Sequence, residues 1–166
     1  YNGWVAEDIV KKLKSYGGGH TLKDFSNLTV EYVEPIFTNY RGYDVFECPP
    51  NGQGIVALMI LNILEQFDLR SFQPDDFERV HLEAEATKIA FHHRNKYLGD
   101  PKFTNIPTEK LLSKDYAREL SKKVSFKKLI NELDILPNEN NKDTVYISVV
   151  DKERNCVSFI NSIFHP

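Results

Sequence analysis

Thr144 stands at the entrance of an apolar run, Val145-Tyr146-Ile147-Ser148-Val149-Val150-Asp151, behind the polar stretch Pro137-Asn138-Glu139-Asn140-Asn141-Lys142-Asp143. A threonine hydroxyl is a weak nucleophile at its free pKa and needs an adjacent base. By periodicity alone, Thr144 is an ordinary strand residue. Three histidines, His81, His92 and His93, share one helical pattern. Adjacent residues on a helix point about 100° apart, so His92 and His93 do not share a metal easily. His81 is too far along for an i, i+4 pair with either, and Glu83 and Glu85 diverge in the same way. The triple glycine Gly17-Gly18-Gly19 has no strand before it and no Lys-Ser/Thr pair after it, which argues against a phosphate cradle. Cys48 and Cys156 lie far apart and form neither a metal-spaced nor a redox pair; nothing in the sequence supports a disulfide between them.

The elements that would position these groups follow from hydrophobic periodicity. The run from Val145 reads as a buried strand, Lys152-Glu153-Arg154-Asn155 as a tight turn, and residues 156–164 as the returning strand. Upstream, residues 4–16 predict a helix, with Val5, Ile9, Val10 and Leu13 at helical spacing and the glycines ending it. A short helical turn starts at Thr21 or at Lys23-Asp24. Residues 32–36 and 43–48 read as strands joined by a turn around Asn39-Tyr40-Arg41-Gly42. Pro49-Pro50-Asn51-Gly52-Gln53-Gly54 reads as a strand-to-helix turn, or alternatively as a wall of a substrate cleft. Residues 55–67 predict a buried core helix with Ile55, Leu58, Met59, Asn62, Ile63 and Phe67 as its richest stripe. A long helix over 76–97 carries Val80, Ala84, Thr87, Ile89 and Phe91, with acids at its start. Short helices are expected over 108–112, 114–124 and 126–133, with Lys122, Lys123, Lys127 and Lys128 on a solvated face.

The chain has 166 residues, 41% hydrophobic and 27% charged, which suffices for one domain with a real core. A formal net charge of −3, with both signs interspersed, argues against a nucleic-acid partner. No run approaches transmembrane length. There is no initiating methionine and no signal sequence, so we expect the chain to begin inside a longer protein, and localisation is not readable.

Together these segments resemble the γ-glutamyltransferase family (γ-glutamyltranspeptidase, glutathione hydrolase). Gly18-Gly19-His20-Thr21-Leu22-Lys23-Asp24-Phe25 is similar to the family's Gly-Gly-x-Leu-Thr-x-x-Asp-Leu, and Tyr40-Arg41-Gly42-Tyr43 is a family signature. The segment from Glu83 to Pro101 resembles Glu-Ala-x-Lys-x-Ala-Phe-x-Asp-Arg-x-x-Tyr-Leu-Gly-Asp-Pro, with His93 at the Asp position before Arg94. Thr144 and Ser148-Val149-Val150-Asp151 match Thr-Thr-His-x-Ser-Val-Val-Asp, with Val145 and Tyr146 at the second Thr and the His.

The resemblance implies a helix-rich α+β chain with a C-terminal β-hairpin, part of an N-terminal-nucleophile hydrolase (αββα) fold. Residues 1–143 would be the C-terminal part of a large-subunit-like region and 144–166 the start of a small one, in a single structural domain. It further implies self-cleavage between Asp143 and Thr144. Thr144 would then attack a γ-glutamyl carbonyl, its new α-amine serving as base, with an amino acid or water as acceptor. Ser162 matches a hydroxyl-bearing position that supports that amine, and Phe164 occupies the place of a substrate-gripping Asn. The pattern looks like a divergent branch, so a different γ-glutamyl or acyl-amide substrate is open. No cofactor is implied. The substrate-binding arginine upstream, the oxyanion-hole glycines and a Phe-Gly-Ser-Gly run belong to the remainder of the two subunits, so this piece alone is expected to be uncut and inactive. The competing reading is a non-catalytic interaction domain, whose exposed apolar patch would favour homodimer formation.

Overall fold

The computed structural model describes residues 2–130 and 144–162; at the open end of the last hairpin, residues 144–145 and 161–162 are described by backbone alone. The order is α1 (Trp4–Ser15), α2 (Leu22–Ser26), β1 (Ile36–Tyr40), β2 (Tyr43–Glu47), α3 (Gly54–Leu64), a 3-10 turn (Leu69–Ser71), α4 (Phe77–Tyr97), α5 (Thr108–Leu112), α6 (Lys114–Ser121), β3 (Thr144–Val150) and β4 (Cys156–Ser162). The strands form two antiparallel hairpins, β1–β2 and β3–β4. No described helix is long and apolar enough to cross a membrane.

α3 lies at the centre. Ile55, Val56, Leu58, Met59, Asn62, Ile63 and Leu64 are all buried, so the helix must be enclosed on most sides. Leu82, Ala86, Ile89 and Ala90 of α4 pack in the same cluster, with Leu111 of α5 and Ala117 and Leu120 of α6. Burying each large aliphatic side chain is worth about 1.5–3 kcal/mol, so this cluster dominates the stability of the body. The helix starts hard against β2: a Cβ on Gly54 would lie 2.6 Å from the Cβ of Glu47. Gly54 therefore permits the close approach of strand and helix at this turn.

Asn62 is the polar exception on α3, and it is 0% exposed. Its Oδ1 accepts from Thr38 Oγ1 (2.6 Å) and Lys114 Nζ (2.7 Å), and its Nδ2 donates to the Leu112 carbonyl (3.0 Å). Lys114 Nζ also donates to the Asn39 carbonyl and to Glu65 Oε2. One side chain thus joins β1, α3 and the α5–α6 corner.

Local capping explains the N-terminal elements. Gly17 N–H donates to the Lys14 carbonyl and Gly18 N–H to that of Leu13, the Schellman pattern of a helix C-terminus. Thr21 and Asp24 form a capping box at α2, and those bonds from Thr21 hold the Asp24 carboxyl below its usual range. In β1–β2 the turn is Arg41-Gly42, with φ of 52° and 91°. That is a type I′ pair, and Gly42 suits it. Arg41 accepts the left-handed region because its N–H donates to Glu65 Oε1 (2.8 Å) and its guanidinium to the Phe67 carbonyl (3.0 Å).

Four expectations are corrected. The first strand is Ile36–Tyr40, not 32–36, because Pro35 lacks the N–H a ladder needs and Tyr32 lies in solvent. The buried face of α4 runs through Leu82, Glu85, Ala86, Ile89, Ala90 and His93, while Val80, Ala84 and Phe91 are exposed. Two stripes of similar spacing compete on this helix, and the one facing α3 wins. Residues 126–130 are not helical: Ser125 bridges Lys128, and the Ile130 N–H goes to Glu85 instead of to a carbonyl one turn back. The remainder of that expected helix, 131–133, lies outside the described residues. Finally, β3 is not buried: Tyr146, Ile147, Val149 and Val150 are all exposed.

His93 is buried on α4, where its Nδ1–H donates to the Ile89 carbonyl (2.8 Å) and its Nε2 accepts from Tyr116 O–H (2.8 Å). Burial pushes its pKa down against the opposing Ile89 bond, and the charges of His92, Lys123 and Lys96 push the same way. Burial also raises the Tyr116 phenol.

Two outcomes follow from this packing. Asn62→Leu takes this partner from the buried Thr38 hydroxyl and from the Leu112 carbonyl, leaves Lys114 with Asn39 and Glu65 alone, and should cost about 2–4 kcal/mol in a urea unfolding titration. A loss under about 0.5 kcal/mol would show that the network does not hold these elements. For His93, the unfolded chain takes up its proton as pH falls below about 6.5, while the folded state resists. Stability is therefore complete above that pH and declines as pH falls toward the lowered folded value. Melting curves from pH 7.5 to 5 should show a steeper decline in wild type than in His93→Gln; parallel declines would contradict this.

Candidate functional site

The C-terminal hairpin carries the candidate nucleophile, and its register follows from its turn. Asp151 N–H donates to the Asn155 carbonyl (3.1 Å) and Arg154 N–H to the Asp151 carbonyl (3.1 Å), with Arg154 at φ 67°. This is a three-residue hairpin loop closed by one left-handed residue. The Asp151 carboxylate accepts from the Asn155 side chain and from its N–H, both at 2.8 Å. Those two bonds hold Asp151 below the usual carboxylate range, so it remains ionised.

From that turn the pairing runs Val150 with Cys156, Ser148 with Ser158, Tyr146 with Ile160, and Thr144 with Ser162. Antiparallel partners lie about 4.5–5.5 Å apart at Cα, so position 162 is within side-chain reach of the Thr144 backbone. Strand alternation puts positions 144, 146 and 148 on one face. On that face the Tyr146 phenol is 2.8 Å from Ser158 Oγ. Bonds to Ser148 and Ser158 hold the phenol below its ordinary value. The opposite face presents Ile147, Val149, Val157 and Phe159, all exposed.

Of the residues singled out in the sequence, Thr144 and Ser162 are thus brought together. Asp143 and Phe164 lie outside the described residues. The Pro49–Gly54 turn borders two open grooves. In one, Pro49 and Pro50 face Lys102, Phe103 and Thr104; in the other, Asn51 and Gln53 face Arg94 and Asn95. Among the described residues, neither groove is lined by the hairpin that carries Thr144. The histidines serve the body: His81 Nε2–H donates to the Ser125 carbonyl (2.9 Å), and the rings of His92 and His93 stand perpendicular, 5.4 Å apart. Among the described residues no group of three or more His, Cys, Asp or Glu is placed to hold a metal. Cys48 and Cys156 are both exposed free thiols. Sequence reading missed the ion pair of Glu85 with Lys88 at 2.8 Å, although its i, i+3 spacing was visible.

Comparison with known proteins places this geometry. The gamma-glutamyltranspeptidase family profile matches residues 1–166. The chain is 38% identical, over 99% of its length, to the glutathione hydrolase-like YwrD proenzyme of Bacillus subtilis, of which it covers 30%. It is 36% identical, over 95% of its length, to the glutathione hydrolase proenzyme of Escherichia coli, of which it covers 28%. The chain therefore spans less than a third of these relatives. Among solved structures it matches cephalosporin acylase from Bacillus halodurans with a TM-score of 0.75 and 38% identity, covering 99% of this chain and 29% of that one. It matches Helicobacter pylori gamma-glutamyltranspeptidase with a TM-score of 0.71 and 32% identity, covering 82% of this chain and 40% of that one. The fold is thus a portion of the N-terminal-nucleophile hydrolase architecture, and the chain belongs to the gamma-glutamyltranspeptidase family.

Proposed function

We propose that the whole protein is a γ-glutamyltransferase-like acyltransferase and hydrolase that cuts itself between Asp143 and Thr144 and then uses Thr144 as nucleophile. The observation that carries this reading is the placing of Ser162 directly across from Thr144 at the open end of the hairpin, in a chain whose relatives are named proenzymes. In the cut, Thr144 Oγ adds to the Asp143 carbonyl. The C–N bond breaks as the nitrogen takes the hydroxyl proton, and water hydrolyses the resulting ester. The products are the Asp143 carboxylate and a free Thr144 amine, so that residues up to 143 end a large-subunit-like piece and Thr144 begins a small one.

An α-amine titrates near 7.7–8.0, so close to neutrality it is a usable base beside its own hydroxyl. In turnover that amine takes the Thr144 Oγ proton as the oxygen attacks the γ-glutamyl carbonyl. It passes the proton to the departing amine, and a γ-glutamyl ester of Thr144 remains. Water or an amino-acid amine then attacks the ester. Ser162 is the group proposed to hold the Thr144 amine in place. Phe164, where the family has an Asn, removes an amide from the substrate's surroundings and widens the substrate class to other acyl amides. The 38% identity to a cephalosporin acylase favours that wider class as a second reading.

The intact mass of the denatured full-length protein tests the first step. Two pieces meeting between Asp143 and Thr144 are expected, with one uncut mass for Thr144→Ala. The variant should lose γ-glutamyl anilide turnover by at least about a thousandfold. A Thr144→Ala protein that still cuts or still turns over would overturn the assignment.

A further inference from the structure

The open end of the hairpin has neighbours to which the chemistry proposed above gives no task. Thr144 pairs with Ser162, and the next pair toward the loop on the same face is Tyr146 with Ile160. Residues two apart on a strand lie about 7 Å from each other, and diagonal cross-strand neighbours about 7–8 Å, within reach of aromatic and long side chains. Tyr146 and Ile160 are both exposed, at 57% and 63%. The phenol oxygen of Tyr146 is 2.8 Å from Ser158 Oγ and is bonded by Ser148 as well, and that serine pair lies one step nearer the loop. The polar tip of the tyrosine is therefore taken up on the side away from the Thr144–Ser162 pair. What stands beside that pair is the hydrocarbon body of the ring and the aliphatic side chain of Ile160.

We propose that Tyr146 and Ile160 are specificity-determining residues, an apolar floor for the acyl group that Thr144 carries, and that the acyl group they take has a hydrocarbon body. The inference rests on the acyl-transfer reading above and concerns the same site. Once acylated, Thr144 is a strand residue with a long side chain, and long side chains on a strand lean along it and reach their same-face neighbours. After the proposed cut Thr144 is the first residue of its piece, so its same-face neighbour along its own strand is Tyr146. That ring stands where the family pattern has a histidine, a polar and titratable group. A ring whose one polar atom is already bonded favours acyl groups that gain by leaving water. The ammonium and carboxylate of a γ-glutamyl group gain nothing from such a floor, because a charge against apolar surface loses hydration without finding a partner.

The test compares two anilides with the same nitroaniline leaving group and the same acyl length, γ-glutamyl and pentanoyl, on the full-length protein. The value of kcat/KM is measured for each with wild type, Tyr146→His, Tyr146→Phe and Ile160→Thr. The ratio of the two values is the readout, since a loss of folded or cut protein lowers both alike. Wild type turns over the pentanoyl anilide at least as well as the γ-glutamyl one. Tyr146→His and Ile160→Thr each shift the ratio toward γ-glutamyl by about tenfold, the scale of one hydrocarbon contact in an apolar pocket. Tyr146→Phe keeps the ring and holds the ratio within about twofold of wild type. Ratios that stay within about twofold in both Tyr146→His and Ile160→Thr overturn the proposal, as does a wild type that turns over the γ-glutamyl anilide alone. So does a shift in Tyr146→Phe as large as that in Tyr146→His, which marks the hydroxyl and not the ring. Wild-type protein that never cuts, or that cuts and turns over neither anilide, refutes the acyl-transfer reading itself and the floor with it.

Discussion

The body is governed by the need to enclose α3, a helix with almost no polar face. Such a helix is stable in water only inside other elements, and β1, α4, α5 and α6 supply the enclosure. Apolar packing alone would leave the depth and rotation of those elements loosely set. Asn62 removes that freedom, because each of its bonds reaches a different element. Lys114 extends the same network to Glu65. Burial works to raise the Glu65 carboxyl, but bonds from Lys114 and the Arg41 N–H, with the charges of both residues, outweigh it and hold the group below its usual range. Glu65 remains ionised, and the β1–β2 turn and α6 share a counter-ion fixed on the C-terminal side of α3.

What was legible in the sequence was what depends on local chemistry. The helix ends at Gly17, Thr21 and Ser113 are set by caps within a few residues, and the turn at Arg41-Gly42 is marked by a glycine that suits a left-handed backbone. The kinship was legible too, since its motifs are short and ordered. What was not legible depends on contacts made across the fold. The rotation of α4 could be read two ways from spacing, and only α3 decides between them. The non-helical course of residues 126–130 was hidden for the same reason: the Ile130 N–H is taken by Glu85, which lies 45 residues earlier. For the site, the family resemblance singled out Thr144 and Ser162 without their register, and the hydroxyl cluster of Tyr146, Ser148 and Ser158 follows from strand parity once the register is known.

The exposed β3–β4 hairpin makes physical sense as part of a larger sheet. A two-stranded ribbon is marginal in water, and apolar residues on both faces suit a strand pair covered on both sides. Val150 and Ile160 lie on one face and Ile147, Val149, Val157 and Phe159 on the other, all in solvent here. In an architecture of sheets sandwiched between helical layers, both faces acquire partners. The chain covers 30% and 28% of two of its relatives, and apolar residues on both faces of the ribbon suit a strand pair inside such a layered architecture.

That view also gives Asp151 and Asn155 a place in the chemistry proposed for the open end of the hairpin. Each strand has seven residues, and no element of the core cluster holds them in register among the described residues. The loop sets the pairing. Its closure by the Asp151 carboxylate makes Val150 meet Cys156, and every later pair follows by alternation. A slip of one residue in the loop would set Thr144 across from Asn161 and turn every side chain of one strand to the other face. The Asp of the Ser-Val-Val-Asp motif, seven residues from the candidate nucleophile, thus acts at a distance through pleat geometry. It decides which residue stands opposite Thr144, and a serine there is what the proposed chemistry requires.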